Sequence, residues 1–404
     1  MYPQVTLQSG KEMNVVFRHP WIFSGALTKR PEGVEHGDLV RVTDISGKIL
    51  GIGTYSGKSS IAVRMLAFGD VDIHIDQDWF AARFREAEER KNLLGYGMGT
   101  QTDGYRVIFG ETDGVPGLVV DRYRDVFVIQ ISTAGMDRQR EVIVAALREV
   151  FSPAAIVERS DIAVRKEEAL HDVVGVVSGT LPEVVEFKEN GMTFVADVRD
   201  GQKTGFFLDQ KTLRQSIMKL AKGREALNLF SYSGAASVAA IKGGATKVVN
   251  VDSSASALAA ARRHAELNVI EEHVLVNEES DVFQYLSTKT EPCFDMVIVD
   301  PPALIKAHRD EEEGKKAYHF LNRAALRLVR DGGIFVTSSC SHFFSEEDFA
   351  FTLRRASVQA GVRLDLLEVV HQAPDHPTSV YFPESAYLKS FVCRVTREAV
   401  KTAV

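Results

Sequence analysis

The spacing of apolar residues divides the chain into stretches of different period. Up to about residue 70, apolar positions come in short alternating or β-branched runs. Examples are Asp38-Leu39-Val40-Arg41-Val42 and Ile61-Ala62-Val63-Arg64-Met65-Leu66, with glycines at 33, 37, 47, 51, 53 and 57 between such runs. Period-two alternation broken by glycine turns predicts strands, here a small barrel or compact sheet. Asp78 to Leu94 then changes period. Phe80, Phe84, Ala87 and Leu94 share an apolar side and Arg83, Arg85, Glu86, Glu88 and Glu89 cover much of the rest, which predicts a helix.

Strand patterns return from about 105 to 185, at 107–109, 118–121, 126–131 and 155–158, with a helix near 137–149. Two further runs, 184–187 and 192–195, bracket Lys188-Glu189-Asn190-Gly191, which predicts a hairpin with Asn-Gly at its turn. This part reads as a small mixed α/β domain. From Lys211 onward, strand and helix alternate at the spacing of βαβ units, the mark of a mostly parallel sheet.

Four apolar runs in that last stretch end in small or polar residues. They are 226–230 before Ser231-Tyr232-Ser233-Gly234, 247–251 before Asp252, 296–299 before Asp300-Pro301-Pro302, and 333–337 before Ser338-Ser339-Cys340. In open parallel sheets, ligands bind outside the carboxyl ends of the strands. Residues far apart in sequence are therefore expected to converge on one crevice.

Composition narrows the class. A length of 404 residues suggests two or three domains, and 45% hydrophobic with 25% charged residues is ordinary for a globular protein. No apolar run approaches the roughly 18 residues that span a bilayer. Met1-Tyr2-Pro3-Gln4 lacks the charged start and apolar stretch of a secretory signal. Three cysteines, Cys293, Cys340 and Cys393, are few, odd in number and widely spaced. They argue against a disulfide framework and for a reducing, cytoplasmic setting, and no paired-cysteine metal site is visible. The net charge of −7 counts against nucleic-acid binding, but residues 1–69 carry eight Lys/Arg against five acids. That local excess is either ordinary scatter or a small module that touches a polyanion.

The strand ends carry the chemistry. The turn after the first parallel strand has one glycine rather than Gly-x-Gly-x-x-Gly, so a pyrophosphate cradle is disfavoured against an uncharged or cationic cofactor. Asp252 is placed to accept hydrogen bonds from both ribose hydroxyls, or to cap the helix starting near Ser253. Asp281 follows a third strand end and either meets an adenine edge or begins a helix. Asp300-Pro301-Pro302 cannot continue a central ladder; it forms a rigid turn exposing carbonyls and a carboxylate, or simply stops the strand. Cys340 lies past a strand end among Ser338, Ser339, Ser341 and His342, where a nucleophilic thiol would face the crevice; the competing reading is an inert buried thiol.

In this order, the segments resemble the ribosomal RNA large-subunit methyltransferase I family, S-adenosylmethionine-dependent enzymes that make 5-methylcytosine in 23S rRNA. The likeness covers nearly the whole chain. Arg18-His19-Pro20-Trp21-Ile22-Phe23-Ser24-Gly25 is similar to the start of the family's PUA RNA-binding domain, and residues 201–210, Gly-Gln-Lys-Thr-Gly-Phe-Phe-Leu-Asp-Gln, to its cofactor-covering loop. Residues 227–234, Val251-Asp252, Val299-Asp300-Pro301-Pro302 and Ser339-Cys340-Ser341 match its methyltransferase core, and Asp375-His376-Pro377 and Tyr387-Leu388-Lys389 its C-terminal strand region.

The resemblance implies an α/β protein of three domains. A small all-β PUA-like domain spans 1–74, a mixed α/β domain 75–186, and a Rossmann-like class I methyltransferase domain with a parallel-rich sheet 187–404. It implies a cofactor set of Phe207, Asp209, Gln210, Asn228, Phe230, Ser231, Tyr232, Gly234, Asp252, Ser253, Asn268, Asp281, Asp300 and Pro301. RNA would be met by Arg18, His19, Pro302 and Lys306, with Lys29 and Arg30 as further phosphate contacts and Trp21 stacking or packing.

Cys340 would be the nucleophile adding to carbon 6, and Asp300 with the Pro301 carbonyl would grip the base, Asp300 in its protonated form supplying a proton to ring nitrogen 3 that eases the attack. Many RNA cytosine methyltransferases carry a second cysteine after the proline of the Asp-x-Pro segment; here Ala303 follows Pro302, so Asp375, His376, His342 and Glu384 are the candidate bases for product release. The partner expected is 23S rRNA or a large-subunit precursor particle, and the family likeness implies a homodimer. The rival readings are methylation of guanine N7 or an exocyclic amine, and a non-catalytic RNA-binding assembly factor.

Overall fold

The protein is described here by a computed structural model that covers residues 2–29 and 31–397. Arg30 lies outside the described residues. The chain forms two compact units. The first comprises residues up to Glu189 with Val195–Leu208 and Pro374–Ser385; the second comprises Asn190–Phe194, Asp209–Ala373 and the chain from Ala386 on.

The first unit holds two five-stranded sheets. β1 (Gln4–Thr6), β2 (Trp21–Phe23), β3 (Leu39–Thr43), β4 (Ile49–Tyr55) and β5 (Ile61–Phe68) build one in the order β1-β3-β4-β5-β2, with the short helix α1 (Met13–Val16) between the first two strands. Their inward residues, Val5, Val40, Val42, Val63 and Met65 among them, make a small separate core. Next comes α2 (Gln77–Leu93), capped by the Asp76 carboxylate, which accepts from the Trp79 N–H.

The second sheet contains β6 (Gly104–Phe109), β7 (Leu118–Tyr123), β8 (Val126–Ile131), β9 (Ala155–Arg159) and β10 (Val174–Gly179) in reverse order, β10 at one edge. The helices α3 (Ala134–Arg138), α4 (Arg140–Phe151) and α5 (Val164–Glu167) connect its later strands. Phe80, Phe84 and Ala87 of α2 pack on this sheet as the periodicity requires. Leu94 does not join them: it caps the helix at 41% exposure. The buried position one turn on is Lys91, whose ammonium lies 3.6 Å from the Asp113 carboxylate. An ion pair between Arg64 of β5 and Glu168, the residue that ends α5, 2.8 Å apart and almost wholly buried, ties the first sheet to the connection between β9 and β10.

β11 (Glu186–Glu189) and β12 (Met192–Val195) form a two-stranded ribbon. Its turn is the two residues Asn190 and Gly191, at φ +51° and +79°, the left-handed pair that suits strand twist.

The second unit alternates as predicted: α6 (Lys211–Leu220), β13 (Glu225–Leu229), α7 (Ala235–Lys242), β14 (Lys247–Asp252), α8 (Ala255–Leu267), β15 (Leu275–Glu279), α9 (Val282–Thr288), β16 (Phe294–Val299), α10 (Glu311–Arg327), β17 (Val329–Ser339), α11 (Glu346–Ala360), β18 (Val362–His371) and β19 (Lys389–Arg397). The seven strands lie in the order β15-β14-β13-β16-β17-β19-β18. β13 to β17 are parallel, and β19 runs antiparallel to both neighbours. Both faces of the sheet are covered. Leu227, Leu229, Val297, Val299 and Phe335 pack against Tyr318 and Leu321 of α10 and Phe349 and Leu353 of α11. On the other face, Ala226, Val248, Met296, Ile298 and Val336 join Leu213 and Ile217 of α6. Two-sided burial is why these strands read as continuous apolar runs. The order reverses between β13 and β16, which puts the topological switch point at their carboxyl ends.

Candidate active site

At the switch point, the chain leaves β13 through a strained turn. Phe230, Tyr232 and Gly234 have φ of +58°, +47° and +70°. For the two aromatic residues, the left-handed region costs about 1–2 kcal/mol each. Gly234 is required for a second reason: a Cβ there would sit 2.8 Å from the Cβ of Ala261 on α8. The Asp252 carboxylate at the end of β14 holds this turn. Oδ2 accepts from the Tyr232 N–H at 2.8 Å, and Oδ1 accepts from the Ser254 N–H at 2.9 Å. Ser254, not Asp252 or Ser253, caps α8, its hydroxyl accepting from the Ala257 N–H. Asp252 is half-buried and Ser253 exposed. The Ser231 hydroxyl beside them is buried and has no hydrogen-bond partner among the described residues, so the turn offers an unfilled polar group to a ligand.

Three other expected cofactor residues fall differently. Asn228 is buried within β13, where it faces Asn250 and, beyond it, Asn277 in strand register. Its amide donates to the Ser237 hydroxyl at 2.9 Å, and Asn250 donates to Asn277 at 2.8 Å. This ladder joins three strands and α7. Asn268 caps the carboxyl end of α8; since α8 starts at the rim where β14 ends, its far end reaches the opposite rim. There Asn268 holds the ribbon, accepting from the Thr193 N–H at 3.0 Å and donating to the Thr193 carbonyl at 2.6 Å. The structure does not bring Asn268 to the crevice. Asp281 is at the expected rim, exposed, and caps α9 by accepting from the Gln284 N–H.

β16 and β17 supply the other side. Asp300 stands half-buried at the end of β16, and its Oδ2 accepts from the Gln210 amide at 2.8 Å. Asp209 is buried beside Gln210 and accepts from the Tyr387 hydroxyl at 2.6 Å. Pro301 is buried, while Pro302 and Lys306 are exposed. At the end of the adjacent β17, every hydroxyl around Cys340 is engaged. Thr337 donates to Asn322, Ser338 pairs with Ser390, Ser339 donates to the Tyr318 hydroxyl at 3.0 Å, and Ser341 lies 3.1 Å from that same oxygen. Burial pushes the Tyr318 phenol up, so it stays protonated as a donor. Tyr318, on α10, has no local signature; its apolar helix face hides a hydroxyl that clamps both sides of the cysteine.

The three thiols differ. Cys340 is half-exposed at the crevice rim, whereas Cys393 is buried inside β19 with its thiol pushed up to about 12 by desolvation. Cys293 is half-exposed before β16, away from the carboxyl rim, and burial raises it too. His342 is exposed two residues past Cys340.

The remaining expected residues belong to the first unit. Arg18 is exposed with φ +63°, and Lys29 is exposed. His19 accepts from the Trp21 N–H through Nδ1 and lies 3.4 Å from the Glu384 carboxylate through Nε2. Trp21 packs on Phe382, with ring centroids 4.7 Å apart, and donates to Glu111. Phe207 lies under the Lys203 ammonium, 4.4 Å from the ring centroid. Asp375 and His376 are buried; Asp375 accepts from the Arg106 N–H and pairs with the His376 ring.

Comparison with known proteins places this geometry. A family profile for S-adenosylmethionine-dependent methyltransferases matches residues 145–388, and one for PUA-like domains matches residues 5–68. Ribosomal RNA large subunit methyltransferase I of Shigella boydii serotype 4 is 36% identical over 398 residues, covering 98% of this chain and 100% of the relative. The protein of that name from Serratia proteamaculans is 38% identical over 400 residues, with 98% and 100% covered. Among solved structures, SMU.776, provisionally described as a methyltransferase and complexed with SAH, superposes with a TM-score of 0.82 at 23% identity, covering 97% of this chain and 100% of that one. A Streptococcus mutans protein, described equally provisionally as SAM-dependent, gives 0.80 at 22% identity over the same shares. These two establish the fold alone. S-adenosylmethionine is the cofactor, and the unfilled Ser231 hydroxyl beside the half-buried Asp252 carboxylate fits it. The chain is a member of the ribosomal RNA large subunit methyltransferase I family, with a PUA-like domain ahead of a class I S-adenosylmethionine-dependent methyltransferase fold.

Proposed function

We propose that this protein methylates carbon 5 of a cytosine in large-subunit ribosomal RNA through a covalent bond to Cys340. The observation that carries this reading is the placement of the half-exposed Cys340 thiol beyond β17, beside the strand whose end bears Asp300. Methylation of an exocyclic amine or of guanine N7 needs no thiol there. The ribosomal substrate rests on the full-length relatives named for it.

In this reading, Asp252 holds the cofactor's ribose with the oxygen capacity left beyond its two backbone contacts. Ser231 donates to a polar group beside it, and Phe230, Tyr232 and Gly234 shape the pocket wall. Bound S-adenosylmethionine supplies an electrophilic sulfonium methyl. The Cys340 thiolate adds to carbon 6 of the cytosine, and the carbon 5–carbon 6 π electrons move to carbon 5, making it nucleophilic. Asp300, oriented by Gln210, and the Pro301 carbonyl hold the base edge. Once carbon 5 is methylated, its proton departs to a base, the carbon–sulfur bond breaks, and the thiolate is restored. Residues 1–74 recruit RNA, with the exposed Arg18 at a phosphate, and residues 75–186 act as a spacer.

Trapping tests the reading. RNA containing 5-fluorocytosine cannot lose a proton from carbon 5, so the wild-type protein should form a stable covalent complex and Cys340→Ala none. Cys340→Ala should retain S-adenosylmethionine binding by calorimetry. Methyl transfer at the wild-type rate by Cys340→Ala, or methyl groups mapped to another atom, overturns it.

A further inference from the structure

Lys389 opens β19 directly opposite Ser339 of β17, one residue from the thiol. Its side chain is buried, and its ammonium donates to the Ser341 carbonyl at 2.8 Å and to the Tyr387 carbonyl at 3.3 Å. Ser341 is the residue that follows Cys340. An ammonium has three donors, and two are used here. Both contacts are to backbone carbonyls, and among the described residues no carboxylate pairs with it within 4.0 Å. Lys91, also buried, in the first unit, does face one, Asp113. Burying a charge without a counter-charge is costly, and proteins normally pair such groups. The anion that would balance this one is a thiolate at Cys340.

We propose that Lys389 is the positioning residue of Cys340, its buried ammonium fixing the turn around the thiol and stabilising the thiolate form. The inference rests on the nucleophilic role of Cys340 proposed above and goes beyond it, by naming what activates the sulfur. Desolvation lowers the Lys389 ammonium, and the thiol at Cys340 acts in the opposite sense, so the two groups are electrostatically linked. Tyr318 of α10, kept protonated chiefly by burial, lies within electrostatic reach of the same thiol. Glu346 of α11 is engaged by His371 of β18 at 2.7 Å, and His371 is the residue opposite Lys389 across the sheet. His342 is exposed, and Asp300 is held by Gln210. Glu346 reaches Lys389 only at longer range, as a weaker influence than the thiol.

The test reads Cys340 itself. Iodoacetamide labelling of the full-length protein without RNA is followed across pH by mass spectrometry of the Cys340 peptide. The wild-type midpoint should fall below the roughly 8.5 of an unperturbed thiol. Lys389→Met should raise that midpoint by about one unit and slow labelling at pH 7 about tenfold, while Lys389→Arg restores much of it. A purely structural lysine would alter melting temperature without moving the midpoint. A wild-type midpoint at or above that of a free thiol overturns the proposal even if Lys389→Met fails to fold, as does a folded Lys389→Met with an unmoved midpoint. The outcome is separable from the methylation reading. If trapping with 5-fluorocytosine fails while the midpoint shifts, the ion pair stands and the covalent mechanism falls.

Discussion

Asp252, at the end of β14, accepts the backbone N–H of Tyr232 from the turn that leaves the neighbouring strand β13. One carboxylate thereby holds a left-handed aromatic residue in place and, through its other oxygen, the start of α8. Asp252→Ala strands both donors, and partly buried donors left unmade cost about 1–3 kcal/mol. The expected result is a loss of that size in urea unfolding together with weaker S-adenosylmethionine binding. Asp252→Asn keeps one acceptor oxygen and should lose less of both. Calorimetric affinity unchanged in the alanine variant would remove Asp252 from the cofactor site.

Gly234→Ala meets two penalties. The position is left-handed, and the added methyl would press on Ala261. A left-handed alanine costs about 1–2 kcal/mol, and overpacking of this kind adds about 1–3 kcal/mol. Because the shift falls on the turn that leads to Ser231, cofactor affinity should drop with stability. Chemical denaturation and titration on the same preparation check both.

Glu168→Ala leaves Arg64 buried without its partner. Removing one member of a buried pair typically costs about 3–5 kcal/mol. A double change to apolar residues, Arg64→Met with Glu168→Leu, should recover much of that. Equal instability of the single and double variants would mean that the polar contacts of Glu168 with the Ala134 N–H and His36, rather than the uncompensated charge, carry the effect.

The Cys393 thiol gives a pH prediction. Burial raises it from 9.0 to about 12, so the folded state keeps its proton over a range where the unfolded chain has lost it. The stabilisation is fully present below pH 9 and is lost as pH rises from 9 towards 12. Melting temperature should therefore decline across that window, and Cys393→Ala should decline less steeply. Parallel slopes for the two proteins would contradict it. In the same window Cys393 should resist alkylation while Cys340, half-exposed, reacts.

The convergence of the strand ends is legible in the sequence. The runs that end at Tyr232, Asp252, Asp300 and Cys340 lie on adjacent parallel strands that finish at one rim, because hydrophobic period and strand-end chemistry are local properties of the chain. The family likeness reached further, to the fold and the cofactor. Where periodicity is a poor guide, the cause is a long-range partner at one position and the end of the helix at another. Position 91 is buried although it is a lysine, because Asp113 arrives from another element. Leu94 faces solvent because the helix ends one residue earlier.

The assignments that needed tertiary structure are those in which one polar residue chooses among distant partners. Asn228 and Asn268 carry the same amide and both looked like cofactor contacts. Register commits the first to a three-strand ladder, and the end of α8 commits the second to the ribbon. Lys389, which the family likeness places only in a C-terminal strand region, comes to lie opposite Ser339 because β19 pairs with β17. Amino-acid order determined which segments become strands and helices and which strand ends carry reactive groups, since backbone preference and apolar spacing act over a few residues. Folding alone decided which of those groups share a hydrogen bond or a charge, since that depends on strand order and register between residues tens of positions apart.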